Sequence, residues 1–128
     1  MNTLIIDGTN KKIFLMIIKS KNIYSISHEN SKINYEKLIV FINEFLSSKE
    51  LKINDISKIY VNRGPGSFAG IRNSLSTVKA IHLVKKIDYY GFSFDDFGDN
   101  KDYKYENIPN LCNKLNIKKN LINPIYLS

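Results

Sequence analysis

The order of apolar and polar positions along the chain predicts an opening meander of three strands. Residues 3–7 (TLIID), 12–20 (KIFLMIIKS) and 22–27 (NIYSIS) are short apolar or alternating runs, separated by turn residues. Lys21-Asn22 is a short enough connection for a tight hairpin between the second and third runs. The chain therefore begins with consecutive strands and not with a strand–helix unit.

Two later segments have the three-and-four apolar spacing of amphipathic helices. The first covers residues 34–51, with Asn34 as a suitable N-cap. Its apolar positions fall on one face: Tyr35, Leu38, Ile39, Ile42, Phe45 and Leu46. The second begins near Gly70 and continues to about Lys86, with apolar residues on one flank and small residues on others. Predicted strands over residues 56–61 and 87–93 follow these two helices.

The resulting order β-β-β-α-β-α-β indicates an α/β fold, in which helices pack on a mixed sheet. From about residue 93 the regular pattern ends in an acidic, aromatic, loop-like stretch. A short helix over residues 111–121 and a terminal strand or docked tail over 122–128 are predicted beyond it. We therefore divide the chain into a lobe over residues 1–92 and a C-terminal tail over residues 93–128.

Composition limits the cellular context and the class of partner. The one cysteine, Cys112, excludes an internal disulfide, and the apolar run at residues 13–18 is too short to span a bilayer. No signal peptide is recognisable at the start, so we expect a cytoplasmic protein without membrane contact. The net charge of +7 suits a polyanion such as RNA, but the lysines are scattered. Contact with tRNA is expected to be indirect or auxiliary.

Residues 62–72 (NRGPGSFAGIR) concentrate residue types that are rare elsewhere in the chain. Arg63 and Arg72 are its only arginines, and the segment holds three of its six glycines. Gly64 and Gly66 permit backbone angles closed to other residues, and Ser67 can cap the helix that follows. Phe68 is expected to insert into the core at the base of the turn. We call residues 62–72 the glycine segment.

Three functions are considered for the glycine segment. A P-loop requires a Lys-Ser or Lys-Thr pair after its last glycine, and none is present. The spacing Gly64-x-Gly66-x-x-Ala69 fits a permissive dinucleotide fingerprint, but three strands and a helix precede it instead of one strand. The third possibility is a protein interaction site flanked by Arg63 and Arg72. Alternatively, the two arginines hold the loop from within the same chain.

Asp7, Gly8 and Thr9 follow the first predicted strand and resemble the first phosphate loop of actin-like and sugar-kinase-like ATPases. An ordinary turn explains the same residues, because Asp-Gly favours turns. A chain of 128 residues cannot hold the two lobes of such an ATPase. His28, His82 and Cys112 form no pattern with metal-ligand spacing, so no metal, cofactor or catalytic residue is predicted.

The segment RGPGSFAGIR, residues 63–72, resembles the signature R-G-P-G-S-F-T-G-[LVI]-R of the TsaB (YeaZ) family, with Ala69 where the family usually has Thr. The opening MNTLIID, the run INDISKIYVNRGPGSF and the ending NPIYLS resemble the same family. The resemblance covers residues 1–92 and the last six residues. The family's usual I-D-T-S, its H-S-E before the first helix and its second lobe have no close counterpart here.

This resemblance implies the N-terminal lobe of an actin-like, ribonuclease-H-like fold, with residues 93–128 as a shortened remnant. It also implies a non-catalytic scaffold subunit. Such a subunit binds the catalytic subunit TsaD through the two helices of the lobe. The complex makes threonylcarbamoyladenosine in tRNA at the adenosine before the anticodon stem, next to the anticodon. TsaE, a P-loop ATPase, would join the assembly, and two copies would pair when TsaD is absent.

The resemblance and the helix pattern together nominate partner-binding residues in the two helices and the glycine segment. They are Leu38, Ile42, Arg63, Ser67, Phe68, Arg72, Leu75, Val78, Lys79 and His82. The alternative function is a small nucleotide-binding actin-like enzyme domain. Its candidate nucleotide-binding residues are Asp7, Gly8, Thr9, Gly64 and Gly66.

Overall fold

A computed structural model describes residues 1–98 and 104–126, and the described strands form one five-stranded sheet with the order β3-β2-β1-β4-β5. Residues 99–103 and 127–128 of the predicted tail lie outside the described residues. The strands are β1 (Asn2–Asp7), β2 (Lys12–Lys19), β3 (Asn22–Glu29), β4 (Lys58–Asn62) and β5 (Asp88–Phe92). The helices are α1 (Lys32–Glu36), α2 (Leu38–Ser48), α3 (Phe68–Lys85) and α4 (Ile108–Lys114).

The sheet is mixed, as the strand order in the sequence predicts. β1 pairs antiparallel with β2, and β2 pairs antiparallel with β3, so the opening meander is confirmed. β4 lies parallel to β1 on its other side, and β5 lies parallel to β4. Ile5 of the central strand β1 is opposite Met16 on one neighbour and Tyr60 on the other. The α/β fold class with the order β-β-β-α-β-α-β is therefore correct.

The first predicted helix is divided in two, and its predicted N-cap is wrong. α1 ends at Glu36, α2 begins at Leu38, and Lys37 separates them. Asn34 lies inside α1, where its side chain donates to the carbonyl oxygen of Glu29 at 2.6 Å. The backbone N–H of Asn34 donates to Ser31 Oγ at 3.3 Å, which places the capping hydroxyl three residues earlier.

The main core lies between the sheet and α2 and α3. Alternate residues of the strands point to this side, as the pleat requires, including Leu4 and Ile6 of β1 and Ile59 and Val61 of β4. The buried residues of the two helices that meet them are Leu38, Ile42, Phe45, Leu46, Ile71, Leu75, Val78 and Ile81. Both helices are thus fixed to the sheet along one apolar face.

A second core covers the opposite face of the sheet and is built by residues of the predicted tail. Ile5, Tyr60 and Phe92 of the sheet pack there with Ile108 and Cys112 of α4. Phe97 belongs to the same cluster and lies in a 3₁₀ turn over Phe94–Phe97. Burial raises the pKa of the Cys112 thiol to about 12, so the thiol is neutral at physiological pH. The described part of the tail therefore packs on the sheet.

The last described residues dock on β5 and on the glycine segment without forming a strand. The backbone N–H of Asn120 donates to the carbonyl oxygen of Tyr89 at 2.7 Å, and Ile122 is buried against Gly91. Farther along, the backbone N–H of Ile125 donates to the carbonyl oxygen of Arg63 at 2.8 Å. The predicted helix over 111–121 is wrong in its bounds, since α4 begins at Ile108 and ends at Lys114.

No helix in the described ranges is long and apolar enough to cross a membrane.

A substitution of Gly64 tests how much the docking of the C-terminal segment contributes to stability. Its φ of +115° disfavours any side chain, and a Cβ at this position would overlap the carbonyl oxygen of Ile125. We expect Gly64→Ala to lower the free energy of unfolding by about 2–4 kcal/mol, because backbone strain and displacement of the segment add. Urea unfolding followed by circular dichroism measures this change.

Gly98→Ala is the matched control. Gly98 also has a positive φ, of +62°, but no described atom lies within 4 Å of the position that a Cβ would take. With φ +62° and ψ −142°, a combination that essentially only glycine adopts, its substitution should cost about 1–3 kcal/mol from the backbone alone, and less than Gly64→Ala. An equal loss of stability in the two variants would show that the contact with Ile125 contributes nothing.

Candidate functional site

The two loops singled out in the sequence meet beyond the carboxyl ends of β1 and β4. The backbone N–H of Ser67 donates to the carbonyl oxygen of Thr9 at 2.9 Å. Gly66 lies so close to this residue that a Cβ on it would be 2.6 Å from the Cβ of Thr9. The glycine segment therefore packs directly on the Asp7–Thr9 loop.

Asp7 is the centre of this junction and is completely buried. Its Oδ1 accepts hydrogen bonds from the backbone N–H of Thr9 at 2.9 Å and from Thr9 Oγ1 at 2.6 Å. Its Oδ2 accepts from Asn62 Nδ2 at 3.1 Å and from the Tyr105 hydroxyl at 2.6 Å. Asn62 in turn accepts from the backbone N–H of Gly64 at 2.9 Å. Both oxygens of the carboxylate are thus occupied by groups of the same chain.

The Tyr105 hydroxyl is held in its neutral, donating form. Burial raises the pKa of Tyr105 well above its ordinary value, and the neighbouring Asp7 carboxylate raises it further. The Tyr105 ring also stacks on Phe14 of β2, with ring centroids 4.2 Å apart. A residue of the tail therefore completes the environment of the Asp7 carboxylate.

The nucleotide-binding candidates Asp7, Gly8, Thr9, Gly64 and Gly66 come together, but they contact one another and their own chain. Gly8 faces the start of α3, where a Cβ on it would lie 2.7 Å from Ser74 Oγ. The described residues include no group of three or more His, Cys, Asp or Glu side chains that could hold a metal ion. The arrangement stabilises a corner of the fold, and both carboxylate oxygens of Asp7 have hydrogen-bond partners within the chain.

The start of α3 follows the sequence prediction closely. Ser67 is the N-cap, and its Oγ accepts from the backbone N–H of Gly70 at 3.2 Å. Ser74 Oγ donates to the carbonyl oxygen of Gly70 at 2.7 Å, next to Gly8. Glycine at position 8 thus allows the first turn of α3 to approach the end of β1 closely.

The two arginines of the glycine segment have different environments. Arg63 forms an ion pair with Asp96 at 2.6 Å and also donates to the carbonyl oxygen of Asn123 at 3.0 Å. Its side chain therefore connects the glycine segment, the turn at Asp96 and the C-terminal segment. This agrees with the alternative stated above, in which the arginine holds the loop from within the same chain. Arg72 is exposed on α3.

Phe68 does not enter the core, contrary to the sequence prediction. It is 52% exposed and packs on Tyr126, with ring centroids 4.6 Å apart. The reason is that Phe68 begins α3 on the outer side of the helix, while Ile71 takes the buried position. On the same helix Lys79 is exposed, and His82 Nδ1 lies 2.9 Å from the carbonyl oxygen of Ile87.

Four of the nominated partner-binding residues are buried inside the monomer. Leu38, Ile42, Leu75 and Val78 all have an exposed fraction of 4% or less. The expectation that they face a partner is therefore not met, because the apolar face of each helix is used against the sheet. Helical spacing alone does not separate a face that meets the sheet from one that meets a second protein.

Residues of α2 and α3, with Ile53 of the 3₁₀ turn that follows α2, form an open apolar groove of ≈ 510 Å³. We call it the α2–α3 groove. Its lining residues are Ile39, Asn43, Ile53, Ser76, Thr77, Ala80, Ile81, Val84 and Lys85. Ile39 and Val84 are 40% and 73% exposed. Of the four small residues that the sequence places along α3, Ser76, Thr77 and Ala80 line this groove, whereas Ser74 is buried.

Comparison with known proteins identifies the family to which this chain belongs. The family model for TsaD, tRNA N6-adenosine threonylcarbamoyltransferase, matches residues 25–93, more than half of the chain. A curated relative from Buchnera aphidicola subsp. Schizaphis graminum, named tRNA threonylcarbamoyladenosine biosynthesis protein TsaB, is 30% identical over 90 residues. That alignment covers 70% of this chain and 43% of the relative. The chain belongs to the TsaB (YeaZ) family. It spans less than half the length of this TsaB relative.

Solved structures agree with the fold of a TsaB protein. YeaZ from Pseudomonas aeruginosa matches with a TM-score of 0.67 at 16% identity, covering 72% of this chain and 43% of that chain. RuvC from T. thermophilus, solved with a Holliday junction substrate, matches with a TM-score of 0.55 at 12% identity. The RuvC match covers 96% of this chain and 83% of RuvC. The TsaB fold here is thus an actin-like, ribonuclease-H-like single lobe.

The bond between Tyr105 and Asp7 allows a direct test of the junction. Tyr105→Phe keeps the ring and removes only the hydroxyl that donates to the buried carboxylate. We expect the free energy of unfolding to fall by about 1–3 kcal/mol, because a hydrogen bond to a charged group is lost in a buried site. Tyr126→Phe, in a residue that is 41% exposed, is the control and should change stability by less than about 0.5 kcal/mol. Equal stability of the two variants in thermal unfolding would contradict the role of Tyr105.

Proposed function

We propose that the chain is a non-catalytic subunit in the biosynthesis of threonylcarbamoyladenosine in tRNA, and that it binds a TsaD-type catalytic subunit through the α2–α3 groove. The observation that carries this proposal is the groove itself. It is apolar and lies between the two helices. Its apolar side chains Ile39 and Val84 are exposed on the helix surface and do not pack in the core. Apolar patches of this kind typically mark interaction sites.

The shape of the groove suits a helix of another protein. Side chains at the point of closest approach determine the distance between packed helices, and small residues allow a short distance. Ser76, Thr77 and Ala80 provide small side chains at the centre of the groove. Because the opposite faces of α2 and α3 are fixed to the sheet, the groove is preformed and little conformational entropy is lost on docking.

The junction around Asp7 supports a scaffold more than a nucleotide-binding enzyme. A phosphate loop that binds a metal–nucleotide complex needs a carboxylate available to the metal or its waters. Asp7 is buried and already accepts hydrogen bonds from Thr9, Asn62 and Tyr105. In our proposal the junction instead fixes the start of α3 and so the geometry of the groove.

The other residues nominated from the sequence are either available for direct contact with the partner or act indirectly. Arg72 and Lys79 are exposed on α3 and are available to a partner, as is the outer face of Phe68. Arg63, Ser67 and His82 act indirectly, by holding the glycine segment and the two ends of α3. TsaE would join the complex by binding the catalytic subunit, and any contact of this chain with tRNA would be auxiliary. When no TsaD-type protein is present, two copies of the chain would pair through the same groove.

Substitutions inside the groove test the proposal. Ala80→Glu and Val84→Glu each place a charge on the apolar lining and should weaken binding to the TsaD-type protein of the same organism by about 10-fold or more. Leu121→Glu is the control, since Leu121 is 56% exposed and lies on the C-terminal segment, away from the groove. Calorimetry and size-exclusion chromatography of the mixed proteins measure the effect. Absence of a complex with the unmodified chain, or equal binding by all three variants, would overturn the proposal.

A further inference from the structure

A cleft on the face of the sheet opposite α2 and α3 is unused by the function proposed above. It has a volume of ≈ 470 Å³ and lies between α4 and the adjacent strands β4 and β5. The sheet contributes Lys58, Tyr60 and Tyr90 to its walls. A volume of this size falls within the range of about 300–1,000 Å³ that is usual for small-molecule sites.

Tyr60 is the feature that indicates a ligand. Its side chain belongs to the second core and only 4% of it is exposed, yet it lines the cleft. Its hydroxyl forms no hydrogen bond with any described residue, and it is not among the buried atoms sealed from the surface. The Tyr60 hydroxyl therefore reaches the cleft with no partner in the described chain, and it can donate to a molecule bound there.

The chemistry of the walls narrows the class of ligand. Asn110 and Asn113 of α4, and Asn116 just beyond its end, lie at intervals of three residues and all line the cleft. Each carboxamide has both a donor and an acceptor, which suits the edge of a heterocyclic base. No described residue forms a hydrogen bond with these three side chains.

The charge of the cleft favours an anionic group on the ligand. Lys58 is the one charged residue among the described residues that line it, and its ammonium lies 5.8 Å from the centre of the Tyr90 ring. Burial raises the pKa of Tyr60 to about 12, and the neighbouring Cys112 thiol is neutral as well. The lining therefore carries a positive charge and no negative one at physiological pH.

We propose that this cleft binds a nucleoside monophosphate, with the base between the asparagine carboxamides and the Tyr60 hydroxyl and the phosphate at Lys58. The base would exchange hydrogen bonds with the carboxamides, and the hydroxyl would donate to an acceptor on the ligand. Lys58 at the strand side would pair with the phosphate as a point charge. The site is separate from the α2–α3 groove, so it does not depend on the binding of a catalytic subunit.

Titration of the isolated chain with AMP, GMP, CMP and UMP tests this proposal. Two-dimensional ¹H–¹⁵N spectra should show shifts confined to β4, β5 and α4 for at least one nucleotide, with a Kd below about 1 mM. Tyr60→Phe should weaken that binding by about 2- to 10-fold, since one neutral hydrogen bond is lost. Lys58→Met should weaken it by about 10-fold or more, because a charge-assisted contact is lost.

Control variants separate the cleft from general effects on the surface. Tyr24→Phe removes a hydroxyl beside the main core, and Lys21→Met removes a positive charge from the exposed turn between β2 and β3, so neither should change the affinity. Tyr60→Phe should leave thermal stability unchanged, because the hydroxyl has no partner within the described chain.

Three results would overturn the proposal. One is that no nucleotide produces shifts in β4, β5 and α4. Another is that inorganic phosphate binds as tightly as every nucleotide. The third is that binding is unchanged in both Tyr60→Phe and Lys58→Met.

Discussion

The buried carboxylate of Asp7 is the interaction on which the arrangement of this protein depends. A carboxylate removed from water costs several kcal/mol unless hydrogen-bond donors surround it. Here the donors come from the loop after β1, from the end of β4 and from Tyr105 of the tail. Segments that are 98 residues apart in the sequence are therefore held at one point. The position of each depends on the others, because loss of any donor leaves a charged group incompletely satisfied.

This junction determines the direction of α3. Gly66 packs on Thr9, Gly8 packs on the first turn of the helix, and Ser67 caps that turn. Side chains larger than hydrogen at positions 8 and 66 would push the helix away from β1. Gly66 is therefore required by its packing on Thr9, and Gly64 by its positive φ and its contact with Ile125. The position of α3 that results brings its small residues beside α2 and so forms the groove.

The sheet carries a different kind of surface on each side. On one side α2 and α3 bury their apolar faces and leave a mostly apolar groove between them. On the other side α4 and the 3₁₀ turn at Phe94–Phe97 cover Ile5, Tyr60 and Phe92, and a polar cleft remains beside them. Arg63 connects the two sides, since it pairs with Asp96 and contacts the C-terminal segment next to α3. An apolar groove suits a protein partner, whereas a polar cleft with one cation suits a small anion.

The sequence by itself determined the strand and helix order, the Ser67 cap and the family, because these follow from local periodicity and from one dense motif. It also contained the small residues that line the α2–α3 groove. Only the tertiary structure decided which apolar face each helix buries, and it placed Leu38, Ile42, Leu75 and Val78 inside. The same holds for the exposed Phe68, for the pairing of Arg63 with Asp96 and for the contact of Tyr105 with Asp7. Such contacts join residues far apart in the chain, and helical or strand periodicity carries no information about which distant residue fills a given space.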